Sequence, residues 1–336
     1  MSAATSAAAF FAPGESREAG GAVAGQAGLE LAALEEREFE DGEFKLRPLE
    51  SVRGRTAIVY QSLAGSPDVP ASQRLVRLLF LVANLRDNGA KHRVAVVPYL
   101  AYARKDRRTQ LRDPVYTRYV AELVEAAGTQ RLVTLDVHNT AALDNAYRIP
   151  VDHLSALPML ADHFARRFAE ADVAVASPDV GGVKRAQLFR EMLERKLGRD
   201  IDLAFVEKRR AGGEVSGGTV VGLHRRGTSV IVLDDLCATG GTLIRAAEAC
   251  LAAGAAAVHA AVVHVPWRPG VEKVLAAEAI ASFTVTDSVG LPWAAGNGGK
   301  LECVPVAPLI GAAVARMLDG RPLAPLLERW PVAGDE

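Results

Sequence analysis

Short apolar, β-branched runs alternate along this chain with longer Ala-, Leu- and Arg-rich segments of helical period. TAIVYQS, RVAVVPYL, RLVTLDVH, VAVASP, LAFVEK, SVIVLDD, AAVHAAVVHV and SFTVTDS predict strands. SQRLVRLLFLVANLRDNG and TRYVAELVEAAG predict helices that stop at glycine, and LIRAAEACLAAGA repeats that grammar. Continuous apolar strands alternating with helices predict an α/β fold, with mainly parallel sheets covered on both faces. The alternation runs twice. YRIPVDHLSALP, with two prolines and little periodicity, separates the runs, so we expect one domain over 1–150 and a second over 151–336. Each would hold a sheet of about five strands. APLIGAAVARMLDG reads as a final helix able to pack back on the first half.

Composition narrows the function classes. Of the 336 residues, 49% are hydrophobic and 24% charged, which supports well-buried cores. The net charge of -1 argues against a nucleic-acid partner, so phosphate chemistry here would need local positive charge. Cys237, Cys250 and Cys303 are odd in number and widely spaced. They predict neither a disulfide framework nor a CxxC metal pair, and they suit a reducing, cytoplasmic setting. No apolar run approaches the ~18 residues of a membrane helix, so no membrane partner is expected. The start, MSAATSAAAFFAPGESREAGG, lacks a basic n-region and reads as a loose lead into a short first element.

The chemistry concentrates in VLDDLCATGGT, an apolar strand followed by two aspartates and a Thr/Gly loop that opens a helix. Ligands of open α/β sheets bind beyond the carboxyl ends of strands. The backbone N–H groups and hydroxyls of Ala238, Thr239, Gly240, Gly241 and Thr242 can cradle a phosphate there. Asp234 and Asp235 suit hydroxyl donors beside that phosphate, or a metal held through water. Together they point to a sugar phosphate; the plainer alternative is a glycine-rich turn with solvated aspartates.

Five further stretches add candidate residues. EFEDGEFKLRP is an acidic hairpin turn with an aromatic residue at its tip. VVPYLAYARKDRRTQLRDP sets Arg104, Lys105, Arg107, Arg108 and Arg112 just after a strand, where positive charge can hold a polyphosphate. TLDVHN places Asp136 and His138 at a strand end, and SPDVGGVKRA passes from strand through a Gly turn to a helix. VEKRRAGGEVSGG joins three basic residues to four glycines, as a mobile lid over a triphosphate requires. Taken singly, each is also readable as a solvated turn, a charged face or a structural histidine.

Taken together and in this order, these stretches resemble the ribose-phosphate pyrophosphokinases (PRPP synthetases). The aspartate–loop stretch is also similar to that of phosphoribosyltransferases. The resemblance covers most of the chain and implies two tandem phosphoribosyltransferase-like domains. The implied reaction transfers pyrophosphate from Mg²⁺–ATP to the 1-hydroxyl of ribose 5-phosphate, giving PRPP and AMP. Phe39, Asp41 and Glu43 match an ATP-site segment that often reaches into a neighbouring subunit, which implies a homo-oligomer. Arg104, Lys105, Asp106 and His138 match the ATP phosphate side, and His138 and Asp179 match positions near the metal. The loop 238–242 would hold the 5-phosphate, with Asp179, Asp234 and Asp235 on the ribose side. Lys208 and Arg210 match the catalytic mobile loop.

Lys105 stands where many members have Gln, and Ala238 where many have Asp. The second departure gives DDLCATGGT the wording of adenine-type phosphoribosyltransferases. A purine phosphoribosyltransferase and a non-catalytic regulatory relative are therefore the alternatives. No single residue stands out as general base: Asp179, Asp234 and Asp235 are the candidates, and the alternative is that none is needed.

Overall fold

In the computed structural model, residues 8–66, 68–211, 214–266, 268–290 and 299–326 are described, with the backbone alone for 208–211, 214–217 and 268. Chain order begins β1 (Ala8–Phe11), α1 (Arg17–Gln26), β2 (Leu34–Glu38), β3 (Phe44–Pro48), β4 (Thr56–Tyr60), α2 (Ala71–Asp87) and β5 (His92–Val97). It continues with α3 (Tyr116–Ala126), β6 (Arg131–Leu135), α4 (Thr140–Ala146), β7 (Val151–Leu154), α5 (Leu157–Arg167), β8 (Val173–Ser177) and α6 (Val183–Leu197). Then come β9 (Asp202–Ala211), β10 (Glu214–Val221), β11 (Ser229–Leu236), α7 (Gly241–Ala252), β12 (Ala257–His264), α8 (Arg268–Ala276), β13 (Ser282–Thr286), β14 (Leu301–Val304) and α9 (Ala307–Leu318).

These elements form two mainly parallel sheets flanked by helices, as the alternation predicts. The first has the order β1-β4-β5-β6-β7 and is parallel throughout. The second has the order β10-β9-β8-β11-β12-β13-β14, with only β10 antiparallel. It is therefore wider than the five strands expected. The basic Gly-rich stretch forms a long β9–β10 hairpin at one edge, and four weakly apolar residues, LECV, add β14 at the other. Strand β7 pairs with β6 and so lies in the first sheet, just past residue 150.

The period-2 alternation of the strands sorts their side chains between layers. Phe10, Ile58, Tyr60, Val94 and Val96 share one core with Phe164, Phe189, Val175, Ile231 and Leu233 of the second half. The residues between them, such as Phe11, Val59 and Val97, face a core covered by the Leu75, Leu78, Leu81, Leu85 stripe of α2 and by α3. Val230, Val232, Ala260 and Val262 face a third core under α7 and α8. The shared core joins the halves, and α9 lies on α1 so closely that a Cβ at Gly311 would sit 2.9 Å from the Val23 carbonyl oxygen. Among the described residues no helix is long and apolar enough to cross a membrane.

The acidic turn is the expected hairpin, β2–β3. Its base is held by Arg77, a buried residue of α2. That guanidinium pairs with Glu38 and lies 3.8 Å from Glu36, with its carbon 5.0 Å from the centre of the Phe44 ring. Glu36 in turn accepts the Gly14 N–H at 2.8 Å, tying in the loop after β1. Replacing Arg77 by Met should lower the unfolding free energy by about 1–3 kcal/mol, the usual worth of hydrogen bonds to charged groups. The readout is an earlier urea midpoint at unchanged slope.

Candidate active site

Arg104, His138, Asp179, Asp234 and Asp235 stand at or just beyond the carboxyl ends of β5, β6, β8 and β11, where the two sheets meet. Asp235 is the hub. Its buried carboxylate lies 2.7 Å from Nδ1 of His138, beyond β6, and 3.3 Å from the guanidinium of Arg185, on the first turn of α6. A narrow cavity between Tyr99, Arg104, Val137, His138 and Asp235 continues behind this bond.

Charge follows from these contacts. Burial pushes Asp235 upward, but the His138 hydrogen bond and the Arg185 charge outweigh it and hold the carboxyl well below the usual range. The same hydrogen bond is the main reason His138 is raised above its ordinary value. Asp234 moves the other way. Burial, with the adjacent Asp235 charge, raises its pKa and favours a protonated acid there. The two neighbouring carboxyls are thus pushed in opposite directions, Asp235 towards the anion and Asp234 towards the acid.

The loop 238–242 is shaped by backbone contact. Gly240 has φ +73°, and a Cβ there would lie 2.7 Å from the Gly270 carbonyl oxygen of α8. A Cβ at Gly270 would in turn lie 2.1 Å from the carbonyl oxygen of Ala238. Only glycine fits either place, so α8 braces the loop from behind. Cys237 is buried, Thr239 is exposed and Thr242 is half-buried at the start of α7. Nη1 of Arg245 and Nζ of Lys273 lie 3.2 and 4.0 Å from where a Gly241 Cβ would stand. Two cations therefore flank the loop, neither of which motif spacing singles out.

The remaining expected residues fall into three groups. Arg104 is exposed at the cavity and makes no ion pair among the described residues. Lys105 is committed elsewhere: it pairs with Asp113, whose carboxylate also accepts the backbone N–H groups of Thr109 at 2.9 Å and Gln110 at 3.0 Å. That bond to Lys105 is the first reason Asp113 is held far below the usual carboxylate range. Asp106 accepts from Asn139 at 2.6 Å, and Asn139 caps α4 through Ala142 N–H. Asp179 accepts the Gly182 N–H at 3.2 Å and so shapes the turn between β8 and α6.

The hairpin tip lies apart. Phe39 is 39% exposed, with the Arg37 guanidinium carbon 4.9 Å from its ring centre. The Asp41 carboxylate accepts the Glu43 N–H at 3.1 Å. Among the described residues no hydrogen bond, ion pair or ring contact joins Phe39, Asp41 or Glu43 to the Asp235 cluster. The side chains of Lys208 and Arg210 lie outside the described residues; their backbone runs in β9, with Lys208 opposite Gly218 and Arg210 opposite Val215 of β10.

Asp136 behaves differently from its neighbour His138. Its φ of +36° breaks the strand, and its carboxylate turns inward to the Ala156 N–H at 2.6 Å and the Ser155 hydroxyl at 3.1 Å. It anchors the crossing into the second half rather than facing the cleft.

Comparison with known proteins agrees with the fold. Residues 8–128 match the family described as the N-terminal domain of ribose phosphate pyrophosphokinase, and residues 156–293 match the phosphoribosyl transferase domain. The chain is 34% identical over 322 residues to Ribose-phosphate pyrophosphokinase 1 of Streptococcus pneumoniae, covering 95% of this chain and 96% of that protein. It is 34% identical over 323 residues to the protein of the same name in Streptococcus pyogenes, covering 95% and 97%. The crystal structure of phosphoribosylpyrophosphate synthetase from Mycobacterium smegmatis aligns with a TM-score of 0.83 at 29% identity, covering 93% of this chain and 99% of that one.

Proposed function

Because the chain belongs to the ribose-phosphate pyrophosphokinase family, we propose that it transfers the terminal diphosphate of ATP to the 1-hydroxyl of ribose 5-phosphate. The hydroxyl oxygen bonds to the β-phosphorus and releases its proton, the bond from that phosphorus to the α-phosphate oxygen breaks, and AMP leaves with that oxygen. The products are PRPP and AMP. The observation that carries this reading is the His138–Asp235 bond, which brings the end of β6 and the end of β11 into one cleft. A phosphate-loop fold acting alone would need only the second sheet.

In this reading the loop 238–242 binds the 5-phosphate, helped by the cations of Arg245 and Lys273. Asp235 is a fixed anion for a ribose hydroxyl, and Asp234 can share or receive a proton beside it. Arg104 and His138 lie along the triphosphate. Lys105 contributes by shaping its loop, since its ammonium is held by Asp113. A second copy of the chain supplies Phe39, Asp41 and Glu43 to the nucleotide, because among the described residues the hairpin tip has no tie to its own cleft. Lys208 and Arg210 close over the transferring group. This is phosphoryl-type chemistry, in which the protein mainly positions groups and offsets charge.

Mg²⁺ fits the residues present. No group of three or more His, Cys, Asp or Glu is placed to hold a metal among the described residues. That suits an ion that takes one or two protein ligands and finds the rest on substrate phosphates and water. Asp179 is the oxygen donor we assign to it. His138 is better suited to donate to a phosphate oxygen, because Asp235 occupies Nδ1 and favours the imidazolium. When bound, Mg²⁺ offsets charge on the phosphate oxygens. Three free cysteines suit the cytoplasm assigned to the chain.

The test follows AMP by ion-exchange chromatography and PRPP by a coupled transferase, with Mg²⁺, ATP and ribose 5-phosphate supplied. Equal yields of AMP and PRPP are expected. Consumption of added PRPP with a purine base and no AMP would make it a phosphoribosyltransferase. Nucleotide binding without turnover would make it a regulatory relative.

A further inference from the structure

Two half-sites on separate sheets must be held at one fixed separation, and one buried residue touches both. His264 ends β12 and is 4% exposed. Its backbone carbonyl accepts the Cys237 N–H at 2.9 Å, immediately before the phosphate loop. Its ring nitrogen Nε2 lies 3.0 Å from the carbonyl oxygen of Leu135, the last residue of β6 and three before His138. The ring edge packs on Tyr99, at 5.2 Å between centres, where the Arg104 loop leaves β5. Loop, His138 segment and Arg104 segment therefore all meet at this residue, the loop at its backbone carbonyl and the other two at its ring.

The protonation state is fixed by the partners. A carbonyl only accepts, so Nε2 carries the hydrogen. Nδ1 is then the acceptor for the Ser288 hydroxyl, 2.8 Å away. Burial depresses the pKa of the ring and keeps this neutral tautomer. Asp136 ties this segment to residues 155 and 156 but not to the loop, and the bridge from His138 to Asp235 is made by a histidine whose side chain is half exposed and directed at the cleft, so substrates would compete with it. His264 is out of their reach.

We propose that His264 is a positioning residue, fixing the phosphate loop against the His138 segment so that the 1-hydroxyl and the β-phosphorus meet in line. This rests on the pyrophosphokinase reading. Each half-site binds its own substrate, so loosening the tie between them leaves both affinities intact and lowers turnover. Displacements near 1 Å are enough to cost up to about 100-fold in rate.

Two substitutions separate positioning from packing. In His264→Gln the amide nitrogen reaches the place of Nε2 and can still donate to Leu135. In His264→Asn the shorter side chain reaches only the place of Nδ1. His264→Asn should lower kcat about tenfold, with KM for ATP and for ribose 5-phosphate each within about twofold and ATP-binding stoichiometry unchanged by calorimetry. His264→Gln should recover kcat to within about threefold. An Asn variant as fast as wild type overturns the proposal. So does a loss confined to one KM, or an equal loss in both variants that tracks a lower Tm. A wild-type chain that releases no AMP from ATP and ribose 5-phosphate overturns the function reading and this proposal with it.

Discussion

Lys208→Ala is expected to lower kcat for PRPP formation by about 10²–10³-fold, on the order of 3–4 kcal/mol, while KM for either substrate changes little. The reason is the role proposed for this hairpin. The backbone of Lys208 runs at the edge of the second sheet, opposite Gly218, with a register shift between Val215 and Gly218. On the proposed reading Lys208 meets the substrates when the hairpin closes over the transferring group, so its interaction is made mainly with the developing charge. Binding that strengthens only in the transition state appears in kcat.

Initial rates of AMP release at saturating and limiting ATP check this directly. A raised KM with intact kcat would instead place Lys208 in ground-state binding. Arg210→Ala should behave alike, and the double variant should fall short of the sum of the two single losses, as groups acting as one unit do. Lys208→Arg keeps the charge but not the geometry, so partial activity is expected from it.

How far the sequence reaches is visible in particular elements. The long apolar strands, the glycine stops at Gly89 and Gly128, the hairpin at 39–43 and the strand–loop–helix at 234–242 all follow from local pattern. The edges of the sheets do not. Strand β7 reads as VDHL and β14 as LECV, short and mixed in polarity, and they become strands only because β6 and β13 offer them an open side. Their stability is tertiary, so no local signal carries it.

The site divides the same way. His138 and Asp235 are each at a strand end, and that much is local. Their contact joins residues 97 positions apart and depends on how two sheets pack. Asp136 looks equivalent to His138 in TLDVHN, since residues two apart share a face of a strand. The positive φ at Asp136 ends that equivalence and turns it inward. Arg185 lies within a quoted motif, but only the first turn of α6 aims it at Asp235. Gly270 and Lys273 come from a helix remote in sequence from the loop they brace. His264 did leave a signal: a histidine in the continuous apolar run AAVHAAVVHV has to find buried partners.

Asp235→Asn is the second large effect. The substitution keeps the shape but removes the anion shared by His138 and Arg185. Hydrogen bonds to charged groups are worth about 1.5–3 kcal/mol, so kcat/KM should fall on the order of 10- to 100-fold. The pH dependence gives a separate reading. His138 is raised in the folded state, so its stabilisation is complete below its unfolded value, about 6.5, and is lost as pH rises through the higher folded value. Asp235 is depressed, so its stabilisation is complete above its unfolded value, about 3.9, and is lost as pH falls through the lower folded value. The pair therefore stabilises most between about pH 4 and 6.5, and the gap in Tm between wild type and variant should be widest there. Above that window the gap narrows without vanishing, because Arg185 still favours the carboxylate. Titration of His138 by NMR isolates the cause. Its midpoint should fall in Asp235→Asn, and an unchanged midpoint would show that Asp235 does not hold the imidazolium.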